Sequence, residues 1–282
     1  PTGEALWLDG ATGETITTLA GITTTVTAAQ HSSSGQLAVA TKSGIVYLWA
    51  MTDAALAAAP AVTLPLEGRW QVDGLAWGPS DRYLVAMGQG LAVWNMARSP
   101  QLLWREPGTL ITAYKATVSP DEQWVAISAG NAFAVRDIES GATRWQRADA
   151  HSDPVLGLHW LQGERWPDQT QYVAWQAPLV RWFTKEPWPV DSERLLLLTW
   201  SGDGTTKVWD WESQTEITRL TDLTSDVGTT LVAAVSDDER YIFTVSNEST
   251  ETGTTAIVRI WPAWHRQPTL LLQTAEQHVT RQ

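Results

Sequence analysis

Several residue types are absent or scarce in this chain of 282 residues, and each absence excludes a class of site. There is no cysteine, which excludes disulfides, zinc–thiolate sites and thiol catalysis. Lys and Arg number 19 against 31 Asp and Glu, and the net charge of -12 argues against nucleic-acid partners, because phosphate binding needs a basic surface. No apolar run approaches the roughly 18 residues of a transmembrane helix, so no membrane partner is expected.

Tryptophan, in contrast, is present in excess. The chain has 18 Trp beside only three Phe and five Tyr. Such an excess indicates either a structural position that repeats or an aromatic binding surface. With 43% hydrophobic residues the chain has enough apolar side chains for a core, so global disorder is not expected.

Short apolar runs that end at an anchor residue recur along the chain. The anchor is Trp in four copies, Leu in one and Arg in another; the six positions are Leu8, Trp49, Trp94, Arg136, Trp209 and Trp261. Three of the five spacings, 41, 45 and 42 residues, fall within the roughly 40–45 residues of a four-stranded propeller blade. The other two spacings, 73 and 52 residues, indicate blades that carry insertions.

Each unit contains the same series of segments. A first apolar run ends at a turn rich in Gly, Pro, Ser and Asp; a second apolar run, the anchor run and a more polar fourth run follow. This series predicts one all-β domain over residues 1–282, a β-propeller of four-stranded antiparallel blades. Five blades and a partial sixth over residues 5–19 are expected. The tail, 268–282, is predicted to be a short helix or an outer strand.

The unit around Trp209 carries further polar residues in a fixed order. His151 precedes its first run, Thr199 lies on the second run, and Asp203 lies in the following turn. With these residues the chain resembles the WD-repeat (Trp-Asp) β-propeller family. The resemblance implies that all four residues form a buried hydrogen-bonded set that staples the blade, since buried polar groups must satisfy one another. The other units keep an anchor but lack most of the set.

The sequence from Leu198 to Asp210 is also similar to bacterial WD-repeat arrays, which often form the C-terminal sensor of STAND (NLR-like) signalling ATPases. The chain begins at Pro1 rather than Met, and we expect it to be part of a longer protein. Either the ring closes within this chain, with residues 14–19 adding a strand to the blade of Trp261, or further blades complete a ring of about seven. The second interpretation is favoured.

A long insertion, 163–194, separates the first and second runs of the unit around Trp209. It contains four closely spaced tryptophans, namely Trp166, Trp175, Trp182 and Trp188. These side chains are either an aromatic platform for a partner or a separate small core packed on the neighbouring blade. Candidate partner-binding residues on the other rim stand just before first runs; they are Arg69, Trp70 and Asp149.

No residue pattern indicates catalysis. The acidic groups Asp121-Glu122 and Asp237–Glu239 are conceivable calcium ligands or paired catalytic carboxylates, but both stand at equivalent turns, which favours solvated turn residues. The histidines lack metal-ligand spacing. No metal, cofactor or enzymatic activity is therefore predicted.

These observations predict a cytoplasmic, non-catalytic protein-interaction or sensor module of a larger signalling or defence protein. Its binding energy is expected to come from a few aromatic or Arg side chains in loops on a rigid scaffold. The partner is a protein or another domain of the parent chain, which also sets the oligomeric state. The alternative is a carbohydrate-binding propeller that uses exposed Trp rings, because aromatic rings stack on sugar faces.

Overall fold

A computed structural model describes residues 5–22, 24–52, 55–56, 59–66, 70–107, 113–164, 193–221, 228–236, 239, 241–250 and 253–262. These residues form 22 β-strands and contain no helix, which confirms the all-β prediction. Accordingly, the described part of the chain has no helix that is both long and apolar enough to cross a membrane. The tail, 268–282, lies outside the described residues.

The described strands form six antiparallel sheets that follow one another in chain order. The first sheet is the hairpin of β1 (Ala5–Leu8) and β2 (Thr15–Leu19). The second sheet consists of β3 (Val26–His31), β4 (Gln36–Thr41), β5 (Ile45–Thr52), β6 (Ala55–Leu56) and β7 (Val62–Pro65). In this sheet β7 is the fourth strand, because it pairs along β5. The two-residue β6 pairs only with the end of β5.

Three complete four-stranded sheets follow, each with its strands in chain order. The third sheet consists of β8 (Val72–Trp77), β9 (Tyr83–Gly88), β10 (Gly90–Asn95) and β11 (Gln101–Pro107). The fourth consists of β12 (Ala113–Val118), β13 (Trp124–Ala129), β14 (Ala132–Asp137) and β15 (Thr143–Arg147). The fifth consists of β16 (Val155–Glu164), β17 (Glu193–Ser201), β18 (Thr205–Asp210) and β19 (Thr215–Thr221). The sixth has three described strands, β20 (Gly228–Val235), β21 (Tyr241–Thr250) and β22 (Gly253–Pro262).

Each sheet packs face to face on the next one and shares an apolar core with it. The core between the second and third sheets contains Leu48 and Trp94, and the core between the fifth and sixth contains Leu198 and Ile242. Because an inner sheet is covered on both faces, its second strand is buried along its whole length, as in β9. This explains why the second runs of the sequence units are continuously apolar rather than alternating.

Carboxylates in the turns between first and second strands tie neighbouring sheets together. Asp81 accepts the backbone N–H groups of Ser33 and Ser34 in the preceding sheet, at 3.0 and 2.5 Å. Glu122 accepts the N–H and the hydroxyl of Ser80 in the same way, at 2.7 and 2.6 Å. The turns therefore add polar contacts between sheets whose cores are apolar.

The tying residues share a left-handed backbone conformation, with φ of 60° at Asp81 and 54° at Glu122. Such angles are uncommon for residues with a side chain. Glu239 has φ of 52°, and its carboxylate accepts the backbone N–H of Gln162 at 3.1 Å between the fifth and sixth sheets. Two of the acidic residues considered as calcium ligands are thus turn residues that tie sheets, whereas 237–238 lie outside the described residues.

The predicted insertion joins β16 to β17. These two strands pair from Val155 with Ser201 to Glu164 with Glu193, so the insertion begins where a first strand ends. The segment 165–192 lies outside the described residues, and with it Trp166, Trp175, Trp182 and Trp188.

The hairpin of β1 and β2 has the register of a third and a fourth strand. Leu8 pairs with Thr15 after a bulge, as Trp209 pairs with Glu216 after a bulge in the fifth sheet. One of the two alternatives for ring closure, in which the β2 segment adds a strand to the sheet of Trp261, does not agree with the pairing in the structure. That segment pairs with β1, and among the described strands β22 pairs only with β21.

Candidate functional site

A chain of buried hydrogen bonds crosses the fifth sheet, from β18 through β17 to the loop that precedes β16. Trp209 Nε1 donates to Thr199 Oγ1 at 2.8 Å, and Thr199 Oγ1 lies 2.8 Å from His151 Nε2. On the other side of the imidazole, His151 Nδ1 lies 3.1 Å from Asp203 Oδ2. The structure thus brings together the four residues of the predicted set, and the His151 side chain is fully buried.

Residue chemistry fixes the direction of these bonds. An ionised carboxylate only accepts, so we assign the proton of His151 to Nδ1, which donates to Asp203. With this proton on Nδ1, Nε2 is the acceptor of a hydrogen bond from the Thr199 hydroxyl. The same hydroxyl oxygen accepts the indole N–H of Trp209. Each member of the chain is satisfied by its neighbour, which is what burial of polar groups requires.

Asp203 accepts more hydrogen bonds than the predicted set implies. Thr205 donates its N–H and its hydroxyl to Oδ1 at 2.9 and 2.7 Å, and Ser152 donates its N–H to Oδ2 at 3.0 Å. Burial raises the pKa of Asp203, but hydrogen bonds from His151, Thr205 and Ser152 outweigh burial, so the pKa lies below its usual value of 3.8. Asp203 is therefore an anion that holds the loop and the β17–β18 turn together.

Lys207 holds the same loop from the other side. Only 7% of the residue is exposed, and its Nζ donates to the carbonyl oxygen of Ala150. The ammonium also lies 3.8 Å from Glu216 Oε2 and 5.6 Å from the ring centroid of Trp209. Burial lowers the pKa of Lys207, and the Glu216 carboxylate offsets part of that effect. Sequence reasoning missed this residue, because lysine is rarely buried unless it is paired.

Residues 147–154, here named the stapled loop, consist of the last residue of β15 and the loop that precedes β16. They combine a fixed backbone with exposed side chains. Residues 150 and 151 are buried, whereas 147–149 and 152–154 are exposed. Asp149, a predicted partner-binding residue, is among the exposed ones, and the guanidinium carbon of Arg147 lies 5.8 Å from the ring centroid of Trp209. The hydroxyl of Ser201 donates to the carbonyl oxygen of Asp153 at 2.9 Å and fixes the end of the loop.

Trp70, predicted as a rim anchor, does not lie at the surface. It is 7% exposed and packs with Leu66 and Val72 in the core between the second and third sheets. This prediction is therefore corrected: a large aromatic ring next to two sheets gains more from burial than from contact with solvent. Arg69 lies outside the described residues.

The tryptophan excess arises largely from packing between sheets. The structure describes 13 of the 18 Trp, and each of these is buried or half-buried. Neighbouring rings with centroids 4.7 to 6.2 Å apart form one cluster between the fourth and fifth sheets, consisting of Trp124, Phe133, Trp145, Trp160, Trp209 and Trp211. The anchor of the stapled unit is thus part of the largest described aromatic cluster.

Anchors in other sheets differ in whether their indole N–H has a hydrogen-bond partner. Trp261 Nε1 donates to Thr244 Oγ1 at 2.9 Å. Thr244 occupies the position in β21 that Thr199 occupies in β17. Each threonine stands two residues after the residue that pairs with the anchor. Val39 stands at this register position in the second sheet, and the buried Nε1 of Trp49 has no hydrogen-bond partner. The side chain at this one position therefore decides whether the indole N–H is satisfied.

The candidate site consists of the four-residue set, Lys207 and the stapled loop that they fix. Within the described ranges, no group of three or more His, Asp or Glu side chains is placed to hold a metal ion. No protein-family model and no curated protein matches this chain.

Proposed function

We propose that this chain is a WD-repeat β-propeller that acts as a non-catalytic protein-interaction or sensor module. One observation carries the proposal: the stapled loop presents exposed side chains while hydrogen bonds to Asp203 and Lys207 hold its backbone from two sides. Binding residues typically lie in loops that a rigid scaffold positions. A loop that is fixed before binding loses less entropy on association, which strengthens binding.

The exposed side chains of the stapled loop suit a protein surface that carries both charges. Arg147 and Asp149 are exposed, lie two residues apart and have opposite charges. Charged residues of this kind set the specificity and the association rate of an interface more than its affinity. The partner is accordingly a protein, or another domain of the parent chain.

The same proposal places the module in the cytoplasm, as the sensor of a STAND-type signalling ATPase. Its support is the similarity of residues 198–210 to bacterial WD-repeat arrays. Ligand engagement by the propeller releases an inhibited nucleotide-binding core elsewhere in the parent protein. The parent open reading frame tests this part: a nucleotide-binding domain encoded upstream supports it, and the absence of one contradicts it.

Charge reversal in the stapled loop tests the interaction. Arg147→Glu and Asp149→Arg change exposed side chains, and Glu14→Arg is the matched control, because Glu14 is an exposed acidic residue in the β1–β2 turn. Each full-length variant is used to capture proteins from an extract of the source organism, and binding of a captured protein is then measured with purified components. We expect one protein to bind wild type and Glu14→Arg, and to bind both loop variants at least about tenfold more weakly.

Two outcomes would contradict this assignment. One is a partner that binds all three variants with the wild-type affinity, which would place the interface elsewhere. The other is a loss of binding that accompanies a loss of the folded state, which circular dichroism of each variant detects.

The carbohydrate-binding alternative depends on exposed Trp faces. Since the 13 described Trp are buried or half-buried, it rests on the five that lie outside the described residues, namely the four in the insertion and Trp264. A glycan array probed with the full chain distinguishes the two functions. Binding to a defined glycan that Trp175→Ala abolishes supports the alternative, and an array without bound glycans removes it.

A further inference from the structure

The turn between the second and third strands has the same form in the second and fifth sheets. Thr41 and Ser201, the last residues of β4 and β17, occupy the same position, because each pairs with the first residue of the first strand ahead of a bulge. Three residues further on, Gly44 and Gly204 both have φ of 77°. The two turns are therefore structural copies of each other.

The two copies differ in the side chain that joins the turn to the loop before the first strand. In the fifth sheet the Asp203 carboxylate accepts the N–H of Ser152 in the loop and the N–H of Thr205 in the turn. The residue at this position in the second sheet is Ser43. There the turn is joined to the loop by a hydrogen bond between the hydroxyls of Thr24 and Ser43, at 3.0 Å. The anion of the fifth sheet thus has no counterpart at this position.

A cleft of about 340 Å³ lies at this turn of the second sheet. Its lining consists of Thr24, Thr25, Lys42 and Ser43, which carry one positive and no negative charge. Lys42 is exposed, and its ammonium forms no ion pair with any residue that the structure describes. Ligand sites commonly have volumes of roughly 300–1,000 Å³. The size and the charge of the cleft therefore suit a small anionic group.

The hydroxyls at the cleft can turn towards a ligand without a net loss of hydrogen bonds. Thr41 donates its hydroxyl proton to the carbonyl oxygen of Ile45 at 2.9 Å. The Ser43 hydroxyl, 3.1 Å from that of Thr41, is then the donor of this pair, and Thr24 donates to Ser43. When Thr24 donates to a ligand instead, Ser43 can donate to Thr24. One hydrogen bond replaces another, so the cluster supplies a donor to an anion at little cost.

We propose that this cleft binds a carboxylate side chain, Asp or Glu, of the protein partner. The Lys42 ammonium and the Thr24 hydroxyl hold the carboxylate, which takes the part in the second sheet that Asp203 takes in the fifth. Hydrogen bonds from a charged donor to a carboxylate are stronger than those between neutral groups. The inference rests on the proposed interaction function, because the partner supplies the carboxylate. It adds a contact of defined chemistry at the end of the second sheet that corresponds to the stapled loop in the fifth.

An acetate titration of the full chain tests the cleft without the partner, because acetate carries the same carboxylate as an Asp side chain. Backbone amide resonances are followed by NMR at constant ionic strength, and chloride replaces acetate in the control. We expect acetate, but not chloride, to cause saturable shifts at residues 24–25 and 42–44. The absence of saturable shifts at these residues would overturn the proposal.

Ser43→Asp gives the second sheet a carboxylate of its own. The turn accommodates this residue, because its copy in the fifth sheet contains Asp203. We expect Ser43→Asp to bind acetate at least about tenfold more weakly than wild type, since like charges placed together repel strongly. Wild-type acetate affinity in this variant would place the bound acetate elsewhere and overturn the proposal.

A second variant tests the charge of the lysine. Lys42→Gln should bind acetate about two- to fivefold more weakly, which is the contribution expected of an exposed ion pair. Lys115→Gln is the matched control, because Lys115 is an exposed lysine in β12, and its acetate affinity should equal that of wild type. Equal losses in the two lysine variants would show a general effect of charge and overturn the role of Lys42.

The protein captured in the stapled-loop experiment tests the source of the carboxylate. We expect it to bind Ser43→Asp at least about tenfold more weakly than wild type, and Lys115→Gln with the wild-type affinity. A partner that binds Ser43→Asp as tightly as wild type would overturn the proposal. Failure to capture any partner would contradict the proposed function instead, and the acetate titration decides the cleft separately.

Discussion

His151 Nδ1 lies 3.1 Å from Asp203 Oδ2, and this pair connects the stapled loop to the turn between β17 and β18. Both side chains are buried, with 0% and 7% of their surfaces exposed. The same carboxylate accepts the backbone N–H groups of Ser152 and Thr205. One side chain therefore joins an imidazole, a loop backbone and a turn backbone.

Removal of the Asp203 carboxylate is expected to destabilise the fold. Asp203→Ala leaves the buried Nδ1–H of His151 and two backbone N–H groups without their acceptor, so the free energy of unfolding falls by about 2–4 kcal/mol. Urea denaturation followed by tryptophan fluorescence measures this change. Asp153→Ala is the matched control, because Asp153 is exposed, and a change within about 0.5 kcal/mol is expected there. An unchanged midpoint for Asp203→Ala would contradict the structural role.

The pKa of Asp203 also predicts how stability depends on pH. Because the folded pKa is below the unfolded value of 3.8, the stabilisation is complete above about pH 5 and is lost as the pH falls through 3.8 towards the folded pKa. In that interval the unfolded chain binds a proton that the folded chain does not, so the group contributes a slope of at most about 1.4 kcal/mol per pH unit. Asp203→Asn lacks this titration, and its stability should fall less steeply than that of wild type between about pH 5 and pH 2. Parallel curves would show that the carboxylate is not specifically stabilised in the folded state.

Two threonines at the same register position should differ in their importance. Thr199→Val breaks buried bonds to both Trp209 and His151, whereas Thr244→Val breaks the bond to Trp261. We expect the first substitution to cost about 2–4 kcal/mol and the second about 1 kcal/mol, because both bonds of Thr199 are fully buried, whereas the bond between Thr244 and Trp261 is partly buried and its loss leaves an indole N–H nearer to water. Thermal or urea denaturation of the two isosteric variants measures the difference. Equal costs would contradict the larger contribution expected of the fully buried bonds of Thr199.

Substitutions of Asp81 test how much the carboxylates between neighbouring sheets contribute to stability. Asp81→Gly removes the carboxylate but accommodates the φ of 60° without strain, and Asp81→Asn keeps one acceptor oxygen. We expect the Gly variant to lose about 1 kcal/mol of unfolding free energy and the Asn variant less, because the freed N–H groups of an exposed turn find water. Stabilisation by glycine would instead mean that backbone strain outweighs the two hydrogen bonds to Ser33 and Ser34.

The positions of the strands followed from the sequence because two signals coincide. Anchor spacing set the length of each unit, and turn residues such as those at 78–81 separated its apolar runs. Continuous apolar runs also predicted strands covered on both faces, as β9 is. The hydrogen-bonded set of His151, Thr199, Asp203 and Trp209 was named from the resemblance alone. Residue spacing by itself does not predict that position 151 lies near position 203.

Other features could not be predicted, because they depend on contacts between distant segments. Trp70 precedes a first strand, as Asp149 does, and only the packing of two sheets decides that Trp70 is buried while Asp149 is exposed. Lys207 occupies an ordinary strand position, and its burial follows from the approach of the stapled loop. A signal for Thr205 was present, because a hydroxyl residue two positions after Asp commonly bonds to its carboxylate in a turn.

Every described core is shared by two consecutive sheets, so no sheet contains a complete core of its own. The stability of such an array is approximately a sum of intrinsic and nearest-neighbour terms, as in a one-dimensional Ising chain. Of the nine large hydrophobic side chains that are exposed among the described residues, seven lie on the first and sixth sheets, the two with a single described neighbour. Unfolding should therefore fray inward from these two sheets, and the sheets on either side of the aromatic cluster around Trp209 should be the last to open.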